Sequence, residues 1–357
     1  MQRSRFHVLP LLPFLTFLFQ PAAPTVAQNG HFSLSGSAVH VYNIVGKVEV
    51  VAGTGASVLV DLTQQGKDGA RLGTKTFSEN GTFFVVTYPS DHIRAPQVGW
   101  GSTSMEVGND GTFGDRPKRS RFFSHKVRID NKGSGLEAWC DMKISVPKGQ
   151  KVTVHLGVGE LNATNVDGDL VLDTASGRVS VRGGNGPLIA DTGSGDVAVS
   201  GHAGDALLDT GSGSVKVTDL SGDRLSFDTG SGDVIARGIK ARRLSADTGS
   251  GSVELTGIHA PSVHVDTGSG DVELALMGDV DQLDVDTGSG SVTIEAPTSL
   301  GASLHIETGS GDIDSDFPLK ITRHESDTLL ASVGDGRGHI VIDTGSGNVR
   351  LVRAAAN

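Results

Sequence analysis

Hydrophobic and polar residues alternate with a period of two through much of the second half of the chain. In one example, Val263, Val265 and Thr267 share one face of a strand, and Val272 and Leu274 share that face after a Gly-Ser-Gly bend. A period of two predicts half-buried β-strands, and glycine-rich bends predict the turns between them. Each such unit therefore predicts two short strands joined by a bend.

The unit recurs along the chain at a nearly constant interval. Its Asp-Thr-Gly-Ser-Gly motif, with small variations, recurs at spacings of 18, 18, 19, 19, 19, 20, 21 and 36 residues, and a degenerate copy begins at His155. The copies begin at Asp173, Asp191, Asp209, Asp228, Asp247, Asp266, Asp286, Glu307 and Asp343. One repeat cannot bury its apolar face alone, whereas stacked copies can. The sequence therefore predicts an all-β fold, a parallel β-helix-like solenoid of about ten coils of 18–21 residues.

The motif contains the letters Asp-Thr-Gly-Ser that also mark an aspartic protease. A protease of that class needs two such aspartates, one in each lobe, whereas here they occur in series. The alternation places each motif aspartate between two inward residues, so it predicts an outward column of carboxylates. We expect each carboxylate to accept hydrogen bonds from the N–H groups of the following Gly and Ser. We expect the glycines to supply the conformations of the bend.

A second column follows the bend and alternates between two residue types. Its members are Asp196, Ser214, Asp233, Ser252, Asp271, Ser291 and Asp312. Like charges that face each other on adjacent strands destabilise a sheet. If the coils stack in sequence order, the alternation separates the carboxylates, so it predicts that consecutive coils are in contact.

The first column is acidic on nearly every coil and has no such relief. Either its carboxylates are solvated, with diffuse counterions, or they share bound cations. Ca²⁺ is the candidate cation, because calcium-binding β-roll repeats also use glycine and aspartate, although with half this period. The candidate cation column is Asp173, Asp191, Asp209, Asp228, Asp247, Asp266 and Asp286. The sequence predicts no other cofactor and no catalytic residue.

The first 27 residues predict a signal peptide. Arg3 and Arg5 precede an apolar run over residues 8–19, and residues 25–27 are small enough for cleavage before Gln28. We therefore expect an exported mature chain without a transmembrane segment, in the periplasm, at the cell surface or outside the cell. Cys140 is the one cysteine, and the alternation around it predicts a buried strand position.

Residues 28–150 predict a smaller β-rich segment that precedes the solenoid of residues 151–357. The segment has 14 Lys and Arg against 11 Asp and Glu, a net charge of +3, whereas the solenoid has 14 against 30, a net charge of −16. Within the segment, residues 91–128 predict an irregular basic insertion. This is either a solvated loop or a patch for an anionic envelope partner. The patch residues are Arg116, Lys118, Arg119, Arg121, Lys126 and Arg128.

The C-terminal repeats leave two interpretations open. The 36-residue interval before Asp343 predicts either a coil that has lost its motif or a protruding loop. The last strand needs protection against edge-to-edge association, and we expect Arg350 and Arg353 to supply it.

Several short motifs resemble a known family. The segments NIVGKVEV (43–50) and ISVPKG (144–149), with serial T-x-SG-[DS]-V turns, resemble the bacterial β-strand-repeat family labelled "putative adhesin", domain-of-unknown-function family 4097. The resemblance covers roughly residues 38–352. It implies a β-solenoid of the cell envelope and no catalytic residues.

These observations predict a non-catalytic, exported cell-envelope protein whose solenoid is a scaffold or an adhesion surface for an envelope or surface component. One alternative is a stress-sensing or signalling protein that binds its partner through the N-terminal segment. Another is a β-helix polysaccharide-active enzyme, which would need clustered acids, a basic residue and substrate-holding loops. Export and acidic charge argue against nucleic acid as a partner, and self-association of the rods is left open.

Overall fold

A computed structural model describes residues 29–98, 101–114, 124–325 and 327–355. These residues form β-strands and two short 3₁₀ helices, Gly69–Arg71 and Pro96–Val98, which confirms the all-β prediction. In this part of the chain no helix has the length and hydrophobicity that a membrane crossing requires. The predicted signal peptide lies outside the described residues.

The N-terminal segment contains ten strands that belong to two sheets. They are β1 (Asn29–Leu34), β2 (Ala38–Gly53), β3 (Val58–Gln65), β4 (Gly73–Ser78), β5 (Thr82–Thr87), β6 (His92–Arg94), β7 (Ser102–Gly108), β8 (Ser124–Asp130), β9 (Leu136–Glu137) and β10 (Trp139–Pro147). Strands β6 to β9 form a small sheet in the order β7-β8-β6-β9. The prediction of an irregular insertion at 91–128 is therefore wrong, since its described residues include β6, β7 and β8.

The small sheet is regular because its apolar residues alternate and bury a core of their own. Ile93, Val107, Val127 and Ile129 are at most 2% exposed and pack against residues of β2 and β5. The low hydrophobicity of the surrounding sequence concealed this pattern. The described part of the insertion is thus a folded layer that packs against β2 and β5.

The solenoid begins with one long strand and continues with pairs of shorter ones. The strands are β11 (Lys151–Thr164), β12 (Asp169–Ser176), β13 (Val179–Arg182), β14 (Leu188–Thr192), β15 (Val197–Ser200), β16 (Ala206–Thr210), β17 (Val215–Ser221), β18 (Arg224–Thr229), β19 (Val234–Lys240), β20 (Arg243–Thr248), β21 (Val253–His259), β22 (Ser262–Thr267), β23 (Val272–Leu276), β24 (Gln282–Thr287) and β25 (Val292–Ala296). Each pairs in parallel with its equivalent one coil later, and each motif aspartate lies opposite the next. Stacking in sequence order is confirmed as far as Asp286.

The C-terminal coils depart from sequence order. Their strands are β26 (Ala302–Thr308), β27 (Ile313–Ser315), β28 (Lys320–His324), β29 (Thr328–Val333), β30 (Gly338–Thr344) and β31 (Val349–Arg353). Strand β30 pairs with both β24 and β26, and β31 pairs with both β25 and β27. The coil of Asp343 therefore lies between those of Asp286 and Glu307.

The last coil in space is the coil of Glu307, and an antiparallel strand covers its edge. Strand β29 pairs with β26, and β28 pairs with β29. The 36-residue interval thus encodes a cap made of two strands. The expected cap by Arg350 and Arg353 is wrong, because β31 lies inside the stack and has a neighbour on each side.

The N-terminal segment and the solenoid share one hydrogen-bonded sheet. Strand β2 pairs with β11 from the first residue of β11 to its last. Strands β5 and β10 pair with the opposite edge of β2. One hydrophobic core extends without a break from Leu34 to Leu351. The domain division at residue 150 stays a prediction, and β2 adds one coil to the ten that follow it.

Candidate functional site

The motif aspartates form a straight column on one outer face of the solenoid. We call this column the aspartate ladder. In spatial order it consists of Asp173, Asp191, Asp209, Asp228, Asp247, Asp266, Asp286, Asp343 and Glu307. None of these residues is buried, which confirms the predicted outward direction. Neighbouring carboxylates lie on adjacent strands, about 4.8 Å apart along the solenoid.

The threonine that follows each aspartate holds neighbouring coils together. These threonines are at most 1% exposed. The hydroxyl of Thr248 donates to the carbonyl of Gly232 on the preceding coil at 2.7 Å and accepts from the N–H of Gly251 in its own bend at 3.1 Å. The equivalent bonds to the preceding coil recur at Thr192, Thr210, Thr229, Thr267, Thr287, Thr344 and Thr308. The threonine is therefore the structural residue of the motif.

The glycines of the bend are also fixed by stacking rather than by the aspartate. The N–H of Gly249 donates to the carbonyl of Thr229 on the preceding coil at 3.1 Å, and the same bond recurs through the solenoid. The prediction that this N–H donates to the carboxylate of the motif is therefore wrong. The N–H points along the solenoid axis, toward the preceding coil, while the carboxylate points outward. A Cβ on Gly251 would collide with the carbonyl oxygen of Gly232, so close coil approach requires glycine there.

Two neighbouring ladder carboxylates, those of Asp228 and Asp247, lower the stability of the fold when they are ionised. Burial, and then the charge of Asp209, raise the pKa of Asp228. Burial, and then the charge of Asp228, raise the pKa of Asp247, while His264 opposes that shift. In the described ranges, no group of three or more His, Cys, Asp or Glu side chains is placed to hold a metal ion. Cation binding by the ladder stays a prediction.

The alternating column after the bend has a different chemical environment. Carboxylates of Asp196, Asp233 and Asp271 accept the backbone N–H of the serine on the next coil, at 3.1, 3.0 and 2.8 Å. The hydrogen bond from the N–H of Ser214 lowers the pKa of Asp196. Burial opposes this shift, and the charges of Lys216 and Arg178 add to it. Every second coil thus has a carboxylate that accepts a backbone N–H from the next coil. The prediction from the sequence, that the alternation keeps like charges apart, did not include this role.

The ladder ends where the small sheet covers it. His155, which begins the degenerate motif copy, lies opposite Asp173 and bonds to its carboxylate through Nδ1 at 2.6 Å. Tyr42 stacks on the His155 ring at 4.4 Å, and Phe113 packs edge-on against both rings. This aromatic layer continues the ladder position beneath the small sheet, so the accessible ladder begins at Asp173.

Of the predicted anionic-partner patch, the structure describes two residues and brings them together. Lys126 and Arg128 are exposed on the same face of β8. Arg128 is 3.1 Å from the carboxylate of Asp130, whose pKa is lowered by His92 first and by Arg128 after it. Arg116, Lys118, Arg119 and Arg121 lie outside the described residues. The patch as a whole stays a prediction.

A family model, Toastrack DUF4097, matches residues 140–352. The chain belongs to this family. The match begins about a hundred residues later than the resemblance in the sequence suggested, so the segment before Cys140 is not covered by it. A comparison with curated proteins found no match.

Two solved structures are similar over most of the Toastrack chain. One is named a putative adhesin from Bacteroides fragilis NCTC 9343; it is 10% identical, with 92% of this chain and 99% of that chain covered and a TM-score of 0.33. The other is named a putative cell adhesion protein from Clostridium sporogenes ATCC 15579; it is 8% identical, with 92% and 100% covered and a TM-score of 0.20.

The first residue of the family match is the cysteine. Cys140 is fully buried in β10, which confirms the predicted strand position. Burial, and then the nearby Asp141, raise the pKa of its thiol to about 12. The thiol is therefore protonated and inert at neutral pH.

Proposed function

We propose that this chain is a non-catalytic, exported cell-envelope protein in which the solenoid is a rigid scaffold and the aspartate ladder is its adhesion surface. One observation carries the proposal. The ladder repeats an acid on every coil although threonine and glycine make the contacts that stack the coils. A charge that is repeated on successive coils, and that faces a like charge at Asp228 and Asp247, favours a role outside the fold.

The regularity of the ladder supports a non-catalytic role. General acid–base chemistry needs two groups whose surroundings give them different pKa values. Within the ladder, burial and a neighbouring aspartate act on both Asp228 and Asp247, and their pKa values move in the same direction. The bends beside them have three residues and provide no loops that would enclose a substrate.

A second candidate function places recognition in the N-terminal segment. Lys126 and Arg128 place two exposed basic side chains on one face of the small sheet, and that sheet lies at the end of the acidic ladder. An envelope stress-sensing or signalling partner with anionic groups would bind there. The two candidates differ in the sign of the charge that the partner presents.

The test is a pull-down from the envelope fraction of the source organism with the mature chain, residues 28–357. A ladder variant combines Asp228→Asn, Asp247→Asn and Asp266→Asn, and a patch variant combines Lys126→Gln with Arg128→Gln. A variant with Glu254→Gln and Glu273→Gln is the control, because it removes acid from the outer face of the other strands of the coils. Each capture is repeated with a calcium chelator.

The proposal predicts that the ladder variant loses a component that the wild type and the control retain. Release by chelator would add Ca²⁺ to the description of that surface. Loss with the patch variant alone would support the second candidate. Retention by all variants, or turnover of an envelope polysaccharide by the wild type, would contradict the proposal.

A further inference from the structure

A groove of about 560 Å³ lies beside the aspartate ladder on the same outer face. It extends over five neighbouring coils, from the coil of Pro187 to that of Ser262. At about 4.8 Å per coil, its length is about 20 Å. Its volume falls in the range of small-molecule sites, which hold both apolar walls and a few polar groups.

One end of the groove is apolar. Ile189 and Leu207 are register partners on adjacent strands, and their side chains are 40% and 43% exposed. Pro187 lines the groove next to them. On the following coils the same column is polar, with Ser226, Ser245 and His264 in the equivalent positions. The apolar surface is thus local to one end.

The third and fourth coils of the groove are cationic. Arg224 and Arg243 face each other on adjacent strands, an arrangement of like charges that weakens a sheet. Arg224 lies 3.5 Å from Asp205, whose carboxylate also accepts two backbone N–H groups. Arg243 has no ion pair with any described residue. Two guanidinium groups therefore lie on adjacent strands while only that of Arg224 is paired with a carboxylate, in a region with a net charge of −16.

Hydroxyl groups lie beside the two arginines. Ser226 and Ser245 line the groove beside the two arginines and are half-buried. A guanidinium pairs with a carboxylate through two parallel N–H bonds, and a serine hydroxyl can add a third donor. No Trp, Tyr or Phe is among the described residues that line the groove, so it lacks the stacking platforms that sugar rings use.

We propose that this groove binds a long-chain carboxylate, with the alkyl chain on Ile189 and Leu207 and the head group between Arg224 and Arg243. The apolar residues lie on the first two coils of the groove and the arginines on the next two, in the neighbouring column, an order that matches a ligand with one tail and one charged head. The proposal goes beyond the adhesion function and does not depend on it. The ladder and the groove use different residues.

The test is calorimetric titration of the mature chain with dodecanoate below its micelle concentration. We expect saturable binding, about threefold weaker for each methylene removed from the chain. Leu207→Ser and Arg243→Gln should each weaken binding about tenfold. Val341→Thr is the control for the first, since Val341 is 41% exposed in the same column outside the groove. Arg350→Gln on β31 is the control for the second.

The head group is tested with dodecanol and the tail with acetate. Dodecanol should bind about tenfold more weakly than dodecanoate, and acetate should give no saturable binding. Each of three results would overturn the proposal: no saturable binding of dodecanoate, equal affinity for dodecanol, or affinities that the two groove variants and their controls lower equally.

Discussion

Two acidic columns flank the same bend, and they differ in what their carboxylates contact. In the alternating column, Asp233 accepts the N–H of Ser252 from the next coil, so its charge contributes to stacking. In the ladder, Asp247 faces Asp228 and Asp266, and its carboxylate faces like charges. A repeated residue in a solenoid can therefore reflect stacking or a demand from outside the fold. The hydrogen bonds distinguish the two causes.

The largest effect is expected at the bend, where neighbouring coils approach each other most closely. Gly251→Ala should lower the free energy of unfolding by more than about 3 kcal/mol, because a Cβ there collides with the carbonyl of Gly232. Gly278→Ala is the matched control, since nothing lies within 4 Å of a Cβ at that position. Urea denaturation of both variants measures the difference. Equal stability of the two would show that coil spacing adapts to a methyl group.

The next effect comes from the buried threonine. Thr248→Val keeps the shape but leaves the Gly251 N–H and the Gly232 carbonyl without this partner, so we expect a loss of about 2 kcal/mol in unfolding free energy. Thr218→Val on the exposed side of β17 should change stability by less than about 0.5 kcal/mol. A small effect at Thr248 would remove the basis for calling threonine the structural residue of the motif.

A smaller effect is expected in the alternating column. Asp233→Ala removes the acceptor of the Ser252 N–H and should cost about 1 kcal/mol of unfolding free energy. Ser252→Asp should also destabilise, because it would place three carboxylates in succession with Asp233 and Asp271. If neither substitution changes the denaturation midpoint, the alternation has no role in stacking.

The sequence predicted the repeating coil well because parity and spacing are local properties. Val265 and Thr267 point inward and Asp266 outward, as the alternation requires. The same reasoning could identify the ladder but not the bonds of its neighbours. Whether the N–H of Gly249 bonds to a carboxylate or to the preceding coil depends on the direction of the bend, which spacing does not contain.

Long-range order could not be predicted for a different reason. The coil of Asp343 is equivalent to its neighbours in pattern, so its insertion between Asp286 and Glu307 leaves no trace in periodicity. The cap strands explain this change of order. Strand β29 returns along the outer edge of β26, and the chain then forms the coil of Asp343 on the opposite edge of β26. The groove was missed because its apolar residues and Arg243 come together only after four coils are stacked.

The central claim is that Asp228 and Asp247 of the ladder act against the fold while Asp196 of the alternating column acts for it, and pH separates these two signs. The pKa of Asp247 is raised by burial and by Asp228, so ionised Asp247 lowers stability at a pH above its folded pKa. Below the ordinary pKa of aspartate the group is protonated in both states and the cost disappears. For Asp196, whose pKa is lowered, the stabilisation is present above the unfolded pKa and is lost as pH falls through the folded pKa.

The most direct measurement is the unfolding free energy of Asp247→Asn and Asp196→Asn against wild type from neutral to acidic pH at low salt. At neutral pH we expect Asp247→Asn to be more stable by about 0.5 kcal/mol after solvent screening, and Asp196→Asn to be less stable by a similar amount. Both differences should shrink as the pH falls. Destabilisation by Asp247→Asn at neutral pH would contradict the account, because the ladder would then be part of what holds the coils together.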